Sequence, residues 1–355
     1  MNALVILPTY NEKATIKQVL EGILRHKNVS VLVVDDNSPD KTAGVVKKHK
    51  EFGKRVHLLS GEKQGLGEAY KRGFVWAVNE STADAFLEMD ADLSHNPEDI
   101  PRLLDALKSA DVAIGSRYVK GGKVIGWGMH RKILSFGGNL VARMIAGLWS
   151  VRDCTAGFRA FRRKTVQGVD FSELPGKGYS FQIALLNTVK RQERTIVEVP
   201  VTFTDREKGT SKLGVSDILE FGVVAVRLGF QTYARLIKFL LVGASGLIVN
   251  WGVFALLWLY TGVPAWLSIA VATEASILSN FFLNNAWTFK DRRTTHIIGR
   301  LTRYHYTALG GLLITYLAYF SLENAMHALV AYPVAIMAAT AWNFALSYFW
   351  AWKKK

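Results

Sequence analysis

The sequence predicts a soluble α/β domain with a mostly parallel, Rossmann-like sheet, followed by an α-helical membrane domain. Up to about Val215, short apolar runs alternate with charged segments of helical period. From about Leu236 onward, long apolar stretches carry very few charges. Alternating strands and helices are typical of doubly wound sheets, and about 20 apolar residues suffice to cross a bilayer. We therefore expect a soluble domain at 1–214, an amphipathic helix or linker at 215–235 and a membrane domain at 236–355.

Five short apolar runs predict the strands of the sheet, and segments of helical period separate most of them. The runs are ALVILP (3–8), VSVLVVDD (29–36), RVHLLS (55–60), AFLEMDAD (85–92) and DVAIGS (111–116). The helix after the first strand is predicted by a single apolar face, made of Ile16, Val19, Leu20, Ile23 and Leu24. Another helix is expected to begin at Asn96, an N-cap candidate followed by Pro97 and two acids.

The most informative polar residues follow directly after these strands. They are Pro8, Thr9, Tyr10, Asn11 and Glu12 after the first strand, Asp35 and Asp36 after the second, Asp90 and Asp92 after the fourth, and Arg117 after the fifth. In open α/β sheets, ligands bind beyond the carboxyl ends of the strands. The sequence therefore predicts a binding site at this edge of the sheet.

Two aspartates one residue apart end the fourth strand, in the stretch LEMDADLSHN (87–96). Their charges repel each other, and a divalent cation between them would relieve that repulsion. Mg²⁺ typically takes one or two carboxylates together with substrate phosphates. The alternative is an ordinary loop, because aspartate is common in turns. Asp90 and Asp92 are therefore candidate metal ligands for a reaction of a phosphorylated substrate.

Four apolar stretches in the second part are long enough to cross a bilayer. They lie near 236–263, 265–289, 307–322 and 328–352. Basic residues occupy the connection between the second and third stretches and the end of the chain, and the other two connections contain no Lys or Arg. These basic residues are Lys290, Arg292, Arg293, Arg300, Arg303, Lys353, Lys354 and Lys355. By the positive-inside rule, the C-terminus and the large N-terminal domain are expected to be cytoplasmic.

Composition agrees with a membrane-bound protein of the reducing cytoplasm. The single cysteine, Cys154, forms no internal disulfide, and we expect it to be a small core residue. The N-terminal stretch MNALVILPTYNE has no basic leader and only a short apolar run, so no signal peptide is expected. The net charge of +15 comes without a nucleic-acid motif. It suits an anionic membrane surface and a phosphate-rich substrate.

Motifs along the soluble domain resemble, in order and spacing, the family 2 glycosyltransferases of the GT-A fold, and more closely the polyprenyl-phosphate (dolichol-phosphate) mannose synthases. They are PTYNE, VVDDNSPDKT, GLGEAYKRGF, MDADLSH, GSRYVKGG, Trp127, Arg131-Lys132, DCTAGFRAF, GYSFQ and VPVTFTDREKGTSKLG. The membrane part resembles four-span GtrA-like domains, mainly through its layout and the stretch NFFLNNAWTF. The resemblance implies inverting transfer of mannose from GDP-mannose to the phosphate of a membrane polyprenyl phosphate, with Mg²⁺ or Mn²⁺.

The resemblance also implies roles for individual residues. Asp92 would be the main metal ligand, helped by Asp90 and by Ser94, where some related enzymes carry Gln. The donor would be bound by Pro8, Tyr10, Glu12, Val34, Asp36, Asp90, Ala91, Asp92, Arg206 and Lys212. The acceptor phosphate would be bound by Arg117, Arg131 and Ser135. Arginine suits this role, because its planar fork can donate two hydrogen bonds. Arg206, Ser211 and Lys212 match a mobile loop that closes over the donor, with Gly209 giving it conformational freedom.

Several assignments stay open on the sequence alone. Tyr10 is either a donor ligand or a core aromatic at a strand end. Asp35 is a structural candidate, because adjacent residues of a strand face opposite ways. We expect His95 to pack in its loop rather than to act as a base or ligand, since no His or Cys cluster accompanies it.

Two segments, 131–149 and 215–230, have apolar residues on one face and are expected to lie at the membrane interface or to pack on the sheet. Two alternative activities stay open: a UDP-glucose-dependent polyprenyl-phosphate glucosyltransferase and a transporter of lipid-linked sugars. A processive polysaccharide synthase is disfavoured, because the sequence lacks the QxxRW motif typical of those enzymes.

Overall fold

The apolar run at the N-terminus forms an inner strand of a seven-stranded sheet in the computed structural model, which describes residues 1–205, 214–293 and 296–353. The five predicted strands are confirmed, and four more follow. The strands are β1 (Ala3–Thr9), β2 (Val29–Asp35), β3 (Val56–Ser60), β4 (Ala85–Glu88), β5 (Val112–Ser116), β6 (Lys123–Ile125), β7 (Arg159–Arg162), β8 (Ile196–Pro200) and β9 (Thr202–Thr204).

The order of strands in the main sheet is β3-β2-β1-β4-β7-β5-β8, while β6 and β9 form a separate parallel pair. β7 runs antiparallel to both of its neighbours, β4 and β5. The other pairings in the main sheet are parallel. The sheet is therefore mostly parallel, as predicted; β7 and β8 are additional strands of this sheet, and β7 is inserted antiparallel between β4 and β5.

Helices cover both faces of the sheet in the first compact unit, Met1–Thr232. Its helices are α1 (Ile16–Leu24), α2 (Thr42–Lys47), α3 (Leu66–Glu80), α4 (Ile100–Ala106), α5 (Met129–Met144), α6 (Arg163–Gln167), α7 (Phe181–Arg191) and the first part of α8 (Val215–Ala255). Successive residues of a strand point to opposite faces. Thus Ile6 packs into one core with Phe74 of α3, and Leu7 packs into the other with Leu20 of α1. This burial explains why the strands are almost wholly apolar.

The second compact unit, Tyr233–Lys355, is helical. It contains the rest of α8, α9 (Ala265–Leu283), α10 (Ile297–Leu322) and α11 (Ala328–Leu346), with π-helical turns at Leu256–Tyr260, Asn284–Thr288 and Ser347–Ala351. Three helices in the described part of the chain are long and apolar enough to cross a membrane: Val215–Tyr260, Ala265–Thr288 and Val330–Ala351. The predicted third span lies in α10, which is 26 residues long but less apolar. A fourth span there stays a prediction.

The segment expected to be a linker at 215–235 is not separate from the first span. α8 is one continuous helix of 41 residues, and its first part, up to Thr232, belongs to the first unit. Thr232 Oγ1 donates a hydrogen bond to Ala146 O, just after α5, at 3.2 Å. Both helices expose apolar side chains, such as Phe136 of α5 (67% exposed) and Leu219 of α8 (66% exposed). These exposed faces agree with the expected amphipathic character and not with complete packing on the sheet.

Candidate active site

Hydrogen bonds join the loop after β1 to the loop after β2. Thr9 Oγ1 donates to Asp35 Oδ1 at 2.8 Å, and Asn11 N donates to Ser38 Oγ at 3.1 Å. Asp35 also accepts from Ser38, at 3.0 Å from its amide nitrogen and 2.6 Å from its hydroxyl oxygen. Both oxygens of this buried carboxylate are thus used within the loops. Asp35 organises the edge of the sheet, in agreement with its expected structural character.

Asp36, the second acid after β2, pairs with Arg72 of α3. Burial raises the pKa of the Asp36 carboxyl, and the hydrogen bond and charge of Arg72 act in the opposite direction. Nearby, Lys63 Nζ lies 3.8 Å from the centroid of the Tyr10 ring. Tyr10 is half-buried beneath this lysine and is therefore not a core aromatic. Tyr10 directly follows β1 and Asp36 directly follows β2, at the edge of the sheet where the resemblance implies donor binding.

Three donor-binding residues implied by the resemblance differ in their accessibility. The side chains of Val34 and Ala91 are 0% and 3% exposed, so only their backbone groups can face a ligand. Val34 belongs to the core between β2 and α3, so the expected contact of these two residues with the donor would be made through backbone atoms and stays a prediction. Pro8 is half-buried. Glu12 N donates to Thr42 Oγ1 at 3.1 Å, which fixes this loop against the start of α2.

The aspartate turn after β4 has a tight backbone. Asp92 Oδ1 accepts a hydrogen bond from Ser94 N at 3.0 Å, and Leu93 between them has φ +67°. This left-handed conformation is costly for a bulky residue and is often found at functional sites. Asp90 is half-buried, and Asp92 is 9% exposed.

The donor set of this turn fits a hard cation. The hydroxyl oxygen of Ser94 is buried and has no hydrogen-bond partner among the described residues. A buried polar atom without a partner is costly, and a cation ligated by this oxygen would remove that cost. The part of the chain described contains no group of three or more His, Cys, Asp or Glu side chains arranged for a metal. A cation held here by Asp92, Asp90 and Ser94 would thus need further oxygens from its substrate, as is typical of Mg²⁺.

His95 supports this turn instead of presenting a catalytic nitrogen. Its Nδ1 accepts a hydrogen bond from Asp90 N at 3.1 Å, and its ring stacks on Phe158 with centroids 5.0 Å apart. Burial is the main cause that lowers the pKa of His95 to about 4. The imidazole is therefore neutral near pH 7 and holds the backbone of Asp90. The other residue set aside on sequence grounds, Cys154, is also a core residue, and burial raises the pKa of its thiol to about 12.

A buried layer beneath Asp90 includes two groups that the sequence did not single out. Glu88 of β4 and Arg159 of β7 are register partners in the antiparallel pair, and both are 0% exposed. Burial raises the pKa of Glu88 to about 8, while the charge of Arg159 acts to lower it. The Tyr70 hydroxyl lies 3.4 Å from Asp90 Oδ1. Gly157 also lies beside Asp90, since a Cβ there would be in ordinary van der Waals contact with Asp90 Oδ2, at 3.5 Å.

Arg117 is fixed by a buried carboxylate. Its Nε and Nη2 donate to the two oxygens of Asp153 at 2.8 and 2.6 Å, and Nη2 also donates to Thr155 Oγ1 at 2.9 Å. The side chains of Arg117 and Asp153 are 8% and 0% exposed. Asp153 therefore occupies the Nε and Nη2 edge of the Arg117 fork, and binding of the acceptor phosphate by Arg117 stays a prediction that its remaining N–H groups would have to meet.

Arg131 is held more loosely. Its Nη1 lies 2.5 Å from Asp205 Oδ1, and the two side chains are 25% and 30% exposed. Its guanidinium carbon lies 4.3 Å from the centroid of Trp127, whose other near cation is Arg117 at 5.2 Å. Phe203 contacts Trp127 at 5.3 Å between centroids. Trp127 therefore brings the two arginines together around one aromatic ring.

Ser135 is the third residue implied for the acceptor. Its Oγ accepts a hydrogen bond from the Tyr118 hydroxyl at 2.8 Å, so the hydroxyl hydrogen of Ser135 can still point elsewhere. The expected donor-closing residues Arg206, Ser211 and Lys212, with Gly209, lie outside the described residues.

Several residues that shape the site escaped sequence reasoning. They are Lys63, Tyr70, Arg72, Asp153, Gly157, Arg159 and Asp205. All except Lys63 lie within motifs that carry the resemblance, namely GLGEAYKRGF, DCTAGFRAF and the segment beginning VPVTFTD. Position inside one of these motifs was thus the sequence signal that could have identified six of these residues as part of the site. The contact that each of them makes depends on the fold.

Known proteins match both parts of this chain. Residues 4–169 match the family described as glycosyl transferase family 2, and residues 238–352 match the GtrA/DPMS transmembrane domain. A dolichol-phosphate mannosyltransferase of Pyrococcus furiosus is 38% identical over 350 residues, which are 95% of each chain. An undecaprenyl-phosphate mannosyltransferase of Micrococcus luteus is 43% identical over 64% of this chain and 94% of its own.

A third relative has a related name and a similar identity. The polyprenol monophosphomannose synthase of Mycolicibacterium smegmatis is 44% identical over 222 residues, which are 61% of this chain and 83% of that protein. Similarity at this level over these lengths establishes the family. The protein is therefore a membrane-bound glycosyltransferase that belongs to glycosyl transferase family 2 and carries a GtrA/DPMS transmembrane domain.

Proposed function

We propose that this protein transfers mannose from GDP-mannose to the phosphate of a membrane polyprenyl (dolichyl) phosphate, giving polyprenyl-phosphate mannose and GDP with inversion at the anomeric carbon. One structural observation carries the proposal. The ring of His95, which holds the Asp90 backbone, contacts Phe203, and Phe203 contacts Trp127 between the two arginines. A carboxylate turn suited to a sugar diphosphate is thus joined to a cationic group suited to a second phosphate. The mannosyltransferase names of the relatives support the choice of sugar.

The donor would lie along the ends of β1, β2 and β4. Tyr10, Glu12 and Asp36 would contact the nucleoside, with Pro8, Val34 and Ala91 contributing backbone surface. Arg72 holds the Asp36 carboxylate in place, so it acts as a positioning residue. Mg²⁺ or Mn²⁺ bound by Asp92, with Asp90 and Ser94, would offset the charge that develops on the leaving diphosphate.

The acceptor is a phosphate oxyanion, which is already nucleophilic near neutral pH. The bond that forms joins this oxygen to the anomeric carbon, and the bond that breaks releases GDP. No general base is required, which agrees with the neutral, hydrogen-bonded state of His95. The reaction also requires that the acceptor phosphate be held in place, and fixed positive charge near it would do this.

The two arginines would meet this need in different ways. Arg117, whose charge is offset by Asp153, would contribute its remaining N–H donors in a preorganised position. Arg131 is more exposed and its pair with Asp205 is open to solvent, so a lipid phosphate could replace that carboxylate. Ser135 would add a hydroxyl donor.

The acceptor must reach the site from the bilayer. The exposed apolar side chains of α5 and of the first part of α8 would lie in the membrane interface, close to the chain of the lipid. The excess of Lys and Arg in the connection 290–303 favours a cytoplasmic location for the first unit and the C-terminus. In this orientation the donor site would face the cytoplasm, and GDP-mannose could bind from that side.

The experiment is to measure sugar transfer with purified protein in lipid nanodiscs, supplying labelled GDP-mannose or UDP-glucose with Mg²⁺ or Mn²⁺, with and without polyprenyl phosphate. We expect label in a lipid-extractable product only from GDP-mannose and only when polyprenyl phosphate is present. Label from UDP-glucose alone would keep the mechanism and replace the sugar. Label from neither donor would contradict a synthase and favour a transporter of lipid-linked sugars.

A further inference from the structure

A glutamate within the second apolar helix is paired with a histidine of α10. Glu274 is the one charged residue between Ala265 and Thr288, a segment apolar enough to cross a membrane. It lies about 14 Å from one end of this segment and about 21 Å from the other, at 1.5 Å per residue. The hydrocarbon core of a bilayer is about 30 Å thick, so Glu274 lies inside it. An ionisable residue at such a depth is costly and usually has a function.

The geometry of the pair requires a proton. His305 Nδ1 lies 3.1 Å from Leu301 O, and a carbonyl oxygen only accepts, so Nδ1 carries a hydrogen. His305 Nε2 lies 2.9 Å from Glu274 Oε1. This contact needs one more proton, either on Nε2, giving an imidazolium and a carboxylate, or on Oε1, giving two neutral groups. Without it, a nitrogen lone pair would face a carboxylate oxygen and the contact would be repulsive.

Other charged groups near the pair are directed elsewhere. Residues 239–260 of α8 and residues 328–346 of α11 contain no Asp, Glu, Lys, Arg or His. On α10, Arg303 donates to Gly299 O and Trp350 O, and Arg300 donates to Asn285 Oδ1. Glu274 is therefore the titratable partner that His305 meets in the described part of the membrane unit.

We propose that Glu274 and His305 form a proton-binding site inside the membrane unit, and that the bound proton holds α9 against α10. With the proton the pair is neutral overall, whether it is an ion pair or two neutral groups. Loss of the proton to water leaves a net negative charge in the hydrocarbon region and breaks the Nε2 to Oε1 contact. The Glu274 side chain is 54% exposed and that of His305 is 28% exposed, so the described part of the membrane unit does not enclose the pair. None of the transfer chemistry described above uses this site.

The test is thermal unfolding of the full-length protein in lipid nanodiscs at pH 6 and pH 9. We expect the melting temperature of the unaltered protein to fall on going from pH 6 to pH 9, by at least about 3 °C more than in Glu274→Gln or His305→Gln. Glu323→Gln is the matched control, because Glu323 is exposed after α10 and should keep the full pH effect. The double variant with Glu274→His and His305→Glu should restore it. An equal pH effect in all proteins would overturn the proposal.

A second measurement tests proton binding by this pair if the single variants do not fold. Ring ¹⁵N NMR of the unaltered protein with labelled histidine should show a His305 Nδ1 that stays protonated from pH 6 to pH 9, together with an Nε2 signal that changes over this range. Deprotonation of the pair removes either a hydrogen from Nε2 or a hydrogen bond that Nε2 accepts, so an Nε2 signal that is invariant from pH 6 to pH 9 would overturn the proposal.

Discussion

Arg117 and Asp153 form a two-point ion pair, with Nε to Oδ2 at 2.8 Å and Nη2 to Oδ1 at 2.6 Å. Asp153 is in turn held by Glu198, whose Oε1 accepts from Asp153 N at 2.9 Å. Arg131 and Asp205 form a single and more exposed contact. The site therefore contains one buried arginine held at two points and one arginine whose contact with its carboxylate is more exposed.

Replacing Asp153 with Asn should destabilise the protein by about 3 kcal/mol, because it leaves the buried guanidinium of Arg117 without its counter-charge. We also expect a rise of about tenfold or more in KM for polyprenyl phosphate, as Arg117 loses its position. Thermal unfolding and acceptor titration measure the two effects. The control is Asp105→Asn, which breaks the exposed pair with Lys108 and should leave both unchanged. Wild-type stability and kinetics in Asp153→Asn would refute the fixed role of Arg117.

Replacing Arg72 with Gln should weaken donor binding. Arg72 opposes the upward shift of the Asp36 pKa caused by burial, so its loss favours the protonated, neutral carboxyl. We expect KM for GDP-mannose to rise about tenfold and KM for the acceptor to stay constant. Arg25→Gln, which breaks an exposed pair with Glu98, is the matched control. A rise in KM for the acceptor alone would contradict the placement of Asp36 in the donor site.

His95 should make stability depend on pH in a defined window. Its pKa is lowered to about 4 in the folded protein, below its ordinary value near 6.5, so the unfolded chain binds more protons between these values. Stability from the neutral, buried imidazole is thus complete above about pH 6.5 and is lost as pH falls toward 4, by roughly 2–3 kcal/mol. As pH falls from 6.5 to 4, the difference in unfolding free energy between wild type and His95→Gln should therefore become smaller. A difference that is constant with pH would contradict the burial of a neutral His95, and the exposed His130→Gln serves as control.

Gly73 is required by the packing of α3 on the sheet. A Cβ at this position would lie 2.5 Å from Ile6 Cγ2 of β1 and 3.1 Å from Val34 Cγ2 of β2. Gly73→Ala should therefore destabilise the protein by about 1–3 kcal/mol through overpacking, despite the better helix propensity of alanine. Gly44→Ala in α2 is the control, since its Cβ would meet nothing closer than Lys41 Cβ at 3.9 Å. Equal stability of the two variants in thermal unfolding would contradict this close approach.

The alternation of apolar runs and helical segments was sufficient to predict β1 to β5, because β1, β2, β4 and β5 are almost wholly buried and the edge strand β3 is still mostly apolar. β7 was missed, since RAFR is short and carries two arginines. Its place between β4 and β5 depends on pairing over a long distance in sequence. Arg159 then becomes a partner of Glu88, which no local pattern shows.

The same limit applies to the site. The positions of Asp90 and Asp92 at the end of β4 were predictable, because polar residues that follow a buried strand must lie at its carboxyl end. The partners of Arg117 and Arg131 were not, since Asp153 and Asp205 lie 36 and 74 residues away in sequence. For Arg117 this partner occupies one edge of the guanidinium, so its predicted contact with a phosphate depends on the remaining N–H groups.

The most direct measurement is transfer of labelled mannose from GDP-mannose to polyprenyl phosphate by the wild type, by Asp92→Asn and by the control Asp105→Asn, with Mg²⁺ or Mn²⁺. We predict transfer by the wild type and the control, and a loss of at least about 10²-fold in kcat for Asp92→Asn, which should still unfold at the wild-type temperature. Near-normal turnover by Asp92→Asn would contradict the role of the aspartate turn in mannosyl transfer.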